Sequence, residues 1–165
     1  MIMPDRNPFH YPHLVPTAIS LAPAHPGTAA AAHPASAQLR ADRVERVEKP
    51  WGLEEIVALV EGRYVGKVLT IDAGRSLSLQ HHEVKDETLC VETGHISIEY
   101  GHDVDDLRVL DLQPGDRLNI RPGLLHRITA VTGSRVLETS TAAPGWREDI
   151  VRHADLYGRA GTNRP

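Results

Sequence analysis

The sequence predicts an all-β protein, folded as a small antiparallel jelly-roll barrel. From about Val44 onward, short segments rich in Val, Ile, Leu and Thr recur at nearly even spacing, with turn-forming residues between them. Such spacing favours an antiparallel sandwich or barrel. Roughly eight strands in about 75 residues suit a jelly roll, which covers most of its own sheet edges. No segment sustains the period of a long amphipathic helix.

The individual strands follow from this alternation of apolar segments and turns. Turn signals such as Asp72-Ala73-Gly74 and Arg121-Pro122-Gly123 separate the segments. After Asp149 we expect one turn of helix packed on the outside of the barrel. The predicted strands cover residues 65–71, 77–82, 88–91, 95–100, 107–112, 117–120, 126–130 and 135–140.

Residues 1–42 differ in composition from the rest of the chain. They hold seven of the twelve prolines and ten alanines, and their apolar residues follow neither the strand period nor the helix period. Such a segment buries too little apolar surface to offset the entropy lost when it is ordered. We therefore expect a disordered extension over residues 1–42 and a single domain over residues 43–165.

Composition and charge argue against several classes of partner. The formal net charge is −4 at pH 7, so the chain has no overall basic field that would attract nucleic acid or an anionic membrane. No segment reaches the roughly 18 consecutive apolar residues of a membrane helix, and the N-terminus lacks the pattern of a secretory signal. Cys90 is the only cysteine, which rules out an intramolecular disulfide and a multi-cysteine zinc site. We expect a cytoplasmic protein without nucleic-acid or membrane partners.

The predicted strand over residues 77–82, Leu-Ser-Leu-Gln-His-His, is the most informative stretch for chemistry. Side chains alternate between the two faces of a strand, so Ser78, Gln80 and His82 share one face. Such a polar face would be costly in a dry core. It fits the wall of a cavity that holds a polar centre.

Two further residues complete a candidate metal site. A hairpin return brings Glu87 beside His82, and His126 follows a proline–glycine turn on a later strand. With Gln80 these side chains offer two imidazoles, a carboxylate and an amide oxygen, which suit a divalent ion such as zinc, manganese, iron or nickel. Taken alone, a histidine on a strand is more often a satisfied surface or core residue, so the combination carries the prediction.

The spacing of these residues resembles the first motif of the cupin superfamily. That motif reads Gly, five residues, His-x-His, three or four residues, Glu, six residues, Gly. This chain has Gly74, five residues, Gln80-x-His82, four residues, Glu87, six residues, Gly94. Only the first histidine is replaced, by Gln80.

The second cupin motif is also matched, with one departure. Its proline–glycine turn, two residues and histidine correspond to Pro122, Gly123 and His126, whereas its final Asn is replaced by Ala130. The resemblance implies a cupin barrel in which Gln80, His82, Glu87 and His126 bind one divalent metal ion.

The glutamine makes the chain similar to type II phosphomannose isomerases, whose zinc ligands are Gln, His, Glu and His. The phrase Leu-Ser-Leu-Gln-x-His, characteristic of that family, occurs at residues 77–82. The family's opening phrase, Lys/Arg-Pro-Trp-Gly, matches residues 49–52, and its closing phrases match residues 149–152 and 155–159. The resemblance extends over about residues 47–161 and implies zinc as the metal.

The same resemblance implies the interconversion of an aldose phosphate and a ketose phosphate, of the mannose 6-phosphate to fructose 6-phosphate type. A proton must move between adjacent sugar carbons, which needs a cation near the sugar oxygens and a general base. Glu138 and Lys85 are the catalytic candidates. The candidate substrate contacts are Ser78, Lys67, Arg152 and Arg159, and the arginines suit a phosphate group.

Several alternatives stay open at this point. A non-catalytic metal- or sugar-binding cupin module would keep the barrel but lack the base and the phosphate contacts. In structural terms, Glu138 and Lys67 would then be paired charges at the barrel mouth, and Lys85 a solvated hairpin residue. A metal-dependent oxygenase fits less well because Gln80 replaces a histidine. The sugar itself, and assembly as a homodimer, are not decided by the sequence.

Overall fold

The computed structural model describes residues 41–163, and within this range the chain forms eleven β-strands and no helix. No helix capable of spanning a membrane therefore occurs among these residues. The all-β class predicted from the sequence is confirmed. The strands are β1 (Glu45–Lys49), β2 (Gly52–Val60), β3 (Tyr64–Ile71), β4 (Leu79–His81), β5 (Glu87–Thr93), β6 (Ile96–Gly101), β7 (Arg108–Leu112), β8 (Arg117–Ile120), β9 (Leu125–Ala130), β10 (Ser134–Thr141) and β11 (Val151–Ala154).

The strands form two antiparallel sheets. The larger has six strands in the order β1-β2-β3-β10-β5-β8, and the smaller has five in the order β11-β4-β9-β6-β7. Buried side chains from both sheets belong to one hydrophobic core, so the sheets pack against each other. Because strands distant in the chain, such as β3 and β10, lie side by side, the arrangement is the jelly roll that the strand pattern predicted.

The inward side chains of β3, β5, β9 and β10 divide into an apolar layer and a polar layer. The apolar layer holds Leu69, Ile71, Leu89, Val91, Ile128, Ala130 and Val136. On the same strands and in the same alternation, the polar layer holds Lys67, Glu87, His126 and Glu138. One end of the barrel is therefore lined by charged and ionisable groups, while the hydrophobic core fills the rest.

The polar layer is bounded by a second, smaller apolar cluster, made of Ile56, Val65, Ala142 and Trp146. On one face of β3, Lys67 lies between Val65 of this cluster and Leu69 of the main core. The charged groups of the polar layer are thus held between two apolar regions, which limits their access to water.

All eight predicted strands are present, with bounds that differ by two residues at most. The pattern did not predict β1 and β2, because β1 is mostly exposed and β2 carries Glu54 and Glu55, which look like solvated residues. Both carboxylates are instead held by ion pairs, Glu54 with Lys67 and Glu55 with Arg46.

The predicted turn of helix after Asp149 is wrong. Residues Val151–Ala154 form β11, which pairs with the edge of β4 and places Arg152 opposite Gln80. Arg152 is buried while Val151 and His153 are exposed, which is the alternation of a strand with one covered face.

The predicted disordered extension, residues 1–42, lies outside the described residues except for Ala41 and Asp42, which are exposed. Regular structure begins at Glu45, two residues after the predicted start of the domain. The domain boundary itself stays a prediction.

Candidate metal centre

Strand pairing brings the four predicted metal ligands to the polar end of the barrel. Gln80 of β4 lies directly opposite His126 of β9. His82 follows β4, and Glu87 is the first residue of β5. His82, Glu87 and His126 are all buried, and their candidate ligand atoms lie within 4.8 Å of one another. Residues separated by up to 44 positions in the sequence, from His82 to His126, therefore meet at one point.

Backbone carbonyl groups orient both imidazole rings. Nδ1 of His82 is hydrogen-bonded to the carbonyl oxygen of Asp149, and Nδ1 of His126 to that of Leu124 at 3.0 Å. A carbonyl oxygen only accepts, so Nδ1 carries a proton and donates in each ring, which leaves Nε2 as the nitrogen that faces the candidate centre. Such bonds to the second nitrogen are typical of metal-binding histidines.

The two Nε2 atoms converge on the carboxylate of Glu87. Nε2 of His126 lies 3.1 Å from Oε1, and Nε2 of His82 lies 3.7 Å from Oε2. The Nε2 atom of His82 is buried without a hydrogen-bond partner among the described residues, which is costly for a polar group. Two imidazole nitrogens and a carboxylate in this arrangement are a donor set that suits a divalent transition-metal ion.

The electrostatic environment keeps these side chains in the forms that bind a cation. Burial, together with the neighbouring Lys85, lowers the pKa of His82 to about 4. Burial would raise the pKa of Glu87, but Lys85 and His126 lower it well below its usual range. At neutral pH His82 is therefore an uncharged imidazole and Glu87 a carboxylate.

Gln80 is oriented by Ser78, two residues earlier on the same face. The Ser78 hydroxyl donates to Oε1 of Gln80 at 2.6 Å. Ser78, Gln80 and His82 all line a pocket beside the buried cluster. This agrees with the strand alternation that placed them on one face. Ser78, predicted as a substrate contact, therefore also fixes the direction of the Gln80 amide.

Asp149 is a residue of the site that the sequence did not single out. Its carboxylate accepts hydrogen bonds from the backbone N–H groups of Glu83, Val84 and Lys85, at 2.8, 3.1 and 2.7 Å. Burial raises the pKa of Asp149, but the hydrogen bonds from these three N–H groups together lower it by more, so the net shift is downward. Together with its carbonyl bond to His82, Asp149 ties the turn before β5 to the segment before β11.

A row of alternating charges runs from the candidate metal centre across the larger sheet. It crosses the sheet strand by strand, from β5 through β10, β3 and β2 to β1. The N···O distances between successive members are 2.6, 3.1, 3.4, 3.2 and 3.5 Å. This charged row consists of Glu87, Lys85, Glu138, Lys67, Glu54 and Lys49.

The charged row bears on the structural alternatives given for Lys85 and for the pair of Glu138 and Lys67. Lys85 is 6% exposed and lies in the row, so it is not a solvated hairpin residue. Glu138 and Lys67 are paired, at 3.4 Å, as the structural alternative expected. Burial opposes both charges, yet Glu138 and Glu87 raise the pKa of Lys85, while Lys67 and Lys85 lower the pKa of Glu138. Neither Lys49 nor Glu54 was singled out from the sequence.

A pocket beside the candidate metal centre has more cationic than anionic side chains in its lining. Gln80 and His82 line it together with Ser78. Its carboxylates are Glu54, Glu138 and Asp149, and its cationic side chains are Lys49, Lys67, Lys85, Arg147, Arg152 and Arg159. The pocket thus carries an excess of positive charge although the whole chain is negative.

The two predicted substrate arginines both line this pocket. Arg152 donates from Nη1 to the carbonyl oxygen of Thr162 at 2.8 Å. Arg159 forms a two-pronged contact with Asp155, from Nη2 at 2.8 Å and from Nε at 3.2 Å. Arg152 lies next to Gln80, whereas Arg159 lies in the C-terminal segment after β11.

The chain resembles one curated protein from two strains of Xanthomonas campestris pv. campestris. It is 28% identical over 116 residues to the xanthan biosynthesis protein XanB, and the match covers 69% of this chain. The chain spans about a quarter of XanB, since the match covers 24% of that protein. No family model matches the sequence.

Among solved structures, KdgF from Halomonas sp. matches with a TM-score of 0.50 and 21% identity, over 61% of this chain and 86% of that one. CapF from Staphylococcus aureus matches with a TM-score of 0.51 and 16% identity, over 61% and 29%. Oxalate decarboxylase from Bacillus subtilis matches with a TM-score of 0.57 and 16% identity, over 66% and 30%. The chain has the cupin fold. The barrel expected from the two cupin motifs is therefore confirmed.

Proposed function

We propose that this cupin chain is a metal-dependent aldose–ketose isomerase that acts on a sugar phosphate, of the mannose 6-phosphate to fructose 6-phosphate type. The observation that carries the proposal is the buried cluster of His82, Glu87 and His126 beside a pocket rich in cations. The pocket offers positive charge for an anionic sugar, and the cluster offers ligands for a metal ion. The similarity to XanB, whose name links it to the synthesis of xanthan, also supports a sugar as substrate.

In this proposal Gln80, His82, Glu87 and His126 hold the metal. Zinc is the leading candidate, and manganese, iron and nickel suit the same mixture of nitrogen and oxygen donors. When bound, the ion supplies positive charge next to the reacting oxygens of the sugar. Ser78 holds the amide of Gln80 in place by its 2.6 Å hydrogen bond.

Glu138 is the proposed general base. It is buried and ionised, because Lys67 and Lys85 hold its pKa down against the effect of burial. As a carboxylate it can accept the proton from carbon 2 of the aldose and return it to carbon 1, while the hydroxyl proton of oxygen 2 passes to oxygen 1 through the enediol. Lys85 lies 3.1 Å from Glu138 and 2.6 Å from Glu87, so it holds the base beside the metal ligands. Ser78 and Lys67 are the proposed contacts to the sugar.

A second candidate function is a non-catalytic metal- or sugar-binding module. One observation favours it: both Lys67 and Lys85 pair with Glu138, which makes that carboxylate a weak base. Either function requires a small-molecule sugar or sugar phosphate as ligand. A cytoplasmic location and assembly as a homodimer stay predictions from the sequence.

Metal analysis combined with a coupled assay for conversion of mannose 6-phosphate to fructose 6-phosphate tests the proposal. We expect bound metal, turnover, and loss of turnover on treatment with a chelator. His126→Ala should lose both metal and turnover, whereas Glu138→Gln should keep the metal and lose turnover about 100- to 10,000-fold, the usual effect of removing a general base.

His102→Ala is the matched control, because His102 is exposed in the loop before β7. It should leave metal content and turnover unchanged. A purified protein without metal, whose turnover does not respond to chelators, would contradict the isomerase. Metal binding without turnover on mannose 6-phosphate or other aldose phosphates would favour the binding module.

A further inference from the structure

We propose that His81 and His153 form a second metal site, on the outer face of the smaller sheet, which binds copper(II) and links β11 to β4. His81 is the last residue of β4, and His153 is the third residue of β11. His81 lies between Gln80 and His82 in the sequence, and its side chain points to the opposite face of the strand. The pair is therefore separate from the candidate metal centre, and the site does not rest on the proposed isomerase.

The pairing of β11 with β4 brings the two imidazole rings together. Val151 lies opposite His81, and the register then shifts by one residue, so that Ala154 rather than His153 lies opposite Leu79. Such irregularities redirect the side chains beside them. Nδ1 of His81 lies 2.8 Å from Nε2 of His153, and the ring centroids are 5.1 Å apart.

The spacing of these two nitrogens fits a shared metal ion. Nitrogens bonded to one ion at about 2.0–2.1 Å, at angles between about 90° and 110°, are separated by about 2.8–3.4 Å. The observed 2.8 Å lies at the 90° end of this range, which is the angle of square-planar and tetragonal coordination. Copper(II) prefers that geometry and binds nitrogen ligands more tightly than the other divalent ions of its row.

Both rings are available to an ion without the loss of other contacts. His81 is half-buried and His153 is exposed, and among residues 41–163 neither ring has another side-chain hydrogen bond or an ion pair. The proton between the two rings can move to the outer nitrogen of its own ring through water, which leaves both facing nitrogens free to bind. No third histidine, cysteine or carboxylate of the described residues joins the pair, so water would complete the coordination.

The proposed site would strengthen a part of the sheet that few backbone contacts hold. β11 is the end strand of the smaller sheet, and among the described strands it pairs only with β4, which is three residues long. The other face of this strand pair carries Arg152 and Gln80, which line the pocket. An ion held by His81 and His153 would therefore restrain the pocket wall from the outside.

Titration of the full-length, tag-free, zinc-loaded protein with copper(II), followed by electron paramagnetic resonance, tests the site. We expect one copper ion at the pair, with a signal split by two imidazole nitrogens. His81→Asn and His153→Asn should each weaken this binding at least tenfold, because each leaves a single imidazole. His102→Asn, in the exposed loop before β7, is the matched control and should bind copper as wild type does. The histidines of residues 1–40 are present in every variant, so differences between variants report on the pair.

Hydrogen exchange followed by mass spectrometry tests the link between the strands. Copper should slow the exchange of the β11 amides in wild type and leave it unchanged in His153→Asn. His153 is exposed on an end strand, so this variant should fold even where His81→Asn does not. Equal copper affinity in wild type and folded His153→Asn would overturn the site. Exchange in β11 that is as fast in copper-saturated as in copper-free wild type would overturn the link.

Discussion

Gln80 differs from the two histidines of the candidate centre in how its ligand atom is oriented. The histidines are held by backbone carbonyls, whereas the amide of Gln80 is held by a side chain, the Ser78 hydroxyl. A hydroxyl that donates to Oε1 directs the remaining lone pair of that oxygen and fixes the amide rotamer. The site therefore depends on Ser78 although Ser78 binds no metal in the proposed arrangement.

Ser78→Ala should weaken metal binding about 10- to 100-fold, because outer hydrogen-bond partners of metal ligands typically have effects of this size. Ser76→Ala is the matched control. Ser76 is also buried, but its hydroxyl pairs with Thr129 Oγ1 at 2.8 Å rather than with a candidate ligand. Competition titrations with a chromogenic zinc chelator measure both variants. Equal zinc affinity in Ser78→Ala and wild type would show that Gln80 needs no such support.

At the residue scale, the sequence allowed prediction of the site residues that belong to a recognisable motif spacing or strand alternation. Strand alternation and motif spacing were enough to place Gln80 and His82 on one face and to bring Glu87 and His126 towards them. Asp149 and Glu54 were missed because single acidic residues near turns look solvated. Their partners, the N–H groups of residues 83–85 and the ammonium of Lys67, are distant in the sequence and become neighbours only through sheet pairing.

At the scale of secondary-structure elements, the two glycines of the first cupin motif lie in different surroundings. Both have positive φ, +73° at Gly74 and +86° at Gly94. A Cβ at Gly74 would meet no atom within 4 Å, whereas one at Gly94 would lie 2.5 Å from the carbonyl oxygen of Gly133 and 2.7 Å from Cα of Ser134. The turn after β5 is therefore packed against the turn before β10.

We expect Gly74→Ala to lower the free energy of unfolding by about 1–2 kcal/mol, the cost of a left-handed conformation for a residue with a Cβ. Gly94→Ala carries the same cost plus a clash with backbone atoms, so it should lose at least twice as much. Urea denaturation of the two variants side by side measures the difference. Equal losses would contradict the close packing of the two turns.

The sequence could not distinguish these glycines, because their motif positions look equivalent. The same holds for β11, which was expected to be helical. Its sequence, Val-Arg-His-Ala, is too short to show a period, and its strand conformation is imposed by pairing with β4. Elements with long apolar alternation were predicted well, whereas edge strands with charged residues were not.

At the scale of the whole molecule, the described residues contain a complete two-sheet core and all four predicted metal ligands. We expect a chain that begins at Ala41 to fold with an unchanged melting temperature and an unchanged metal content. Circular dichroism and metal analysis of this chain beside the full-length protein provide the measurement. Aggregation or loss of metal would show that residues 1–40 contribute to the barrel.

The charged row also limits which substitutions this protein can accept during evolution. The row holds three carboxylates and three ammonium groups, so removing one member leaves one buried charge uncompensated. Such a charge costs about 3–5 kcal/mol, a large share of the roughly 5–15 kcal/mol that stabilises a domain. Among descendants of an ancestral barrel, we therefore expect these positions to be inherited together or replaced in adjacent pairs, beginning at Lys49, the end farthest along the row from the metal centre.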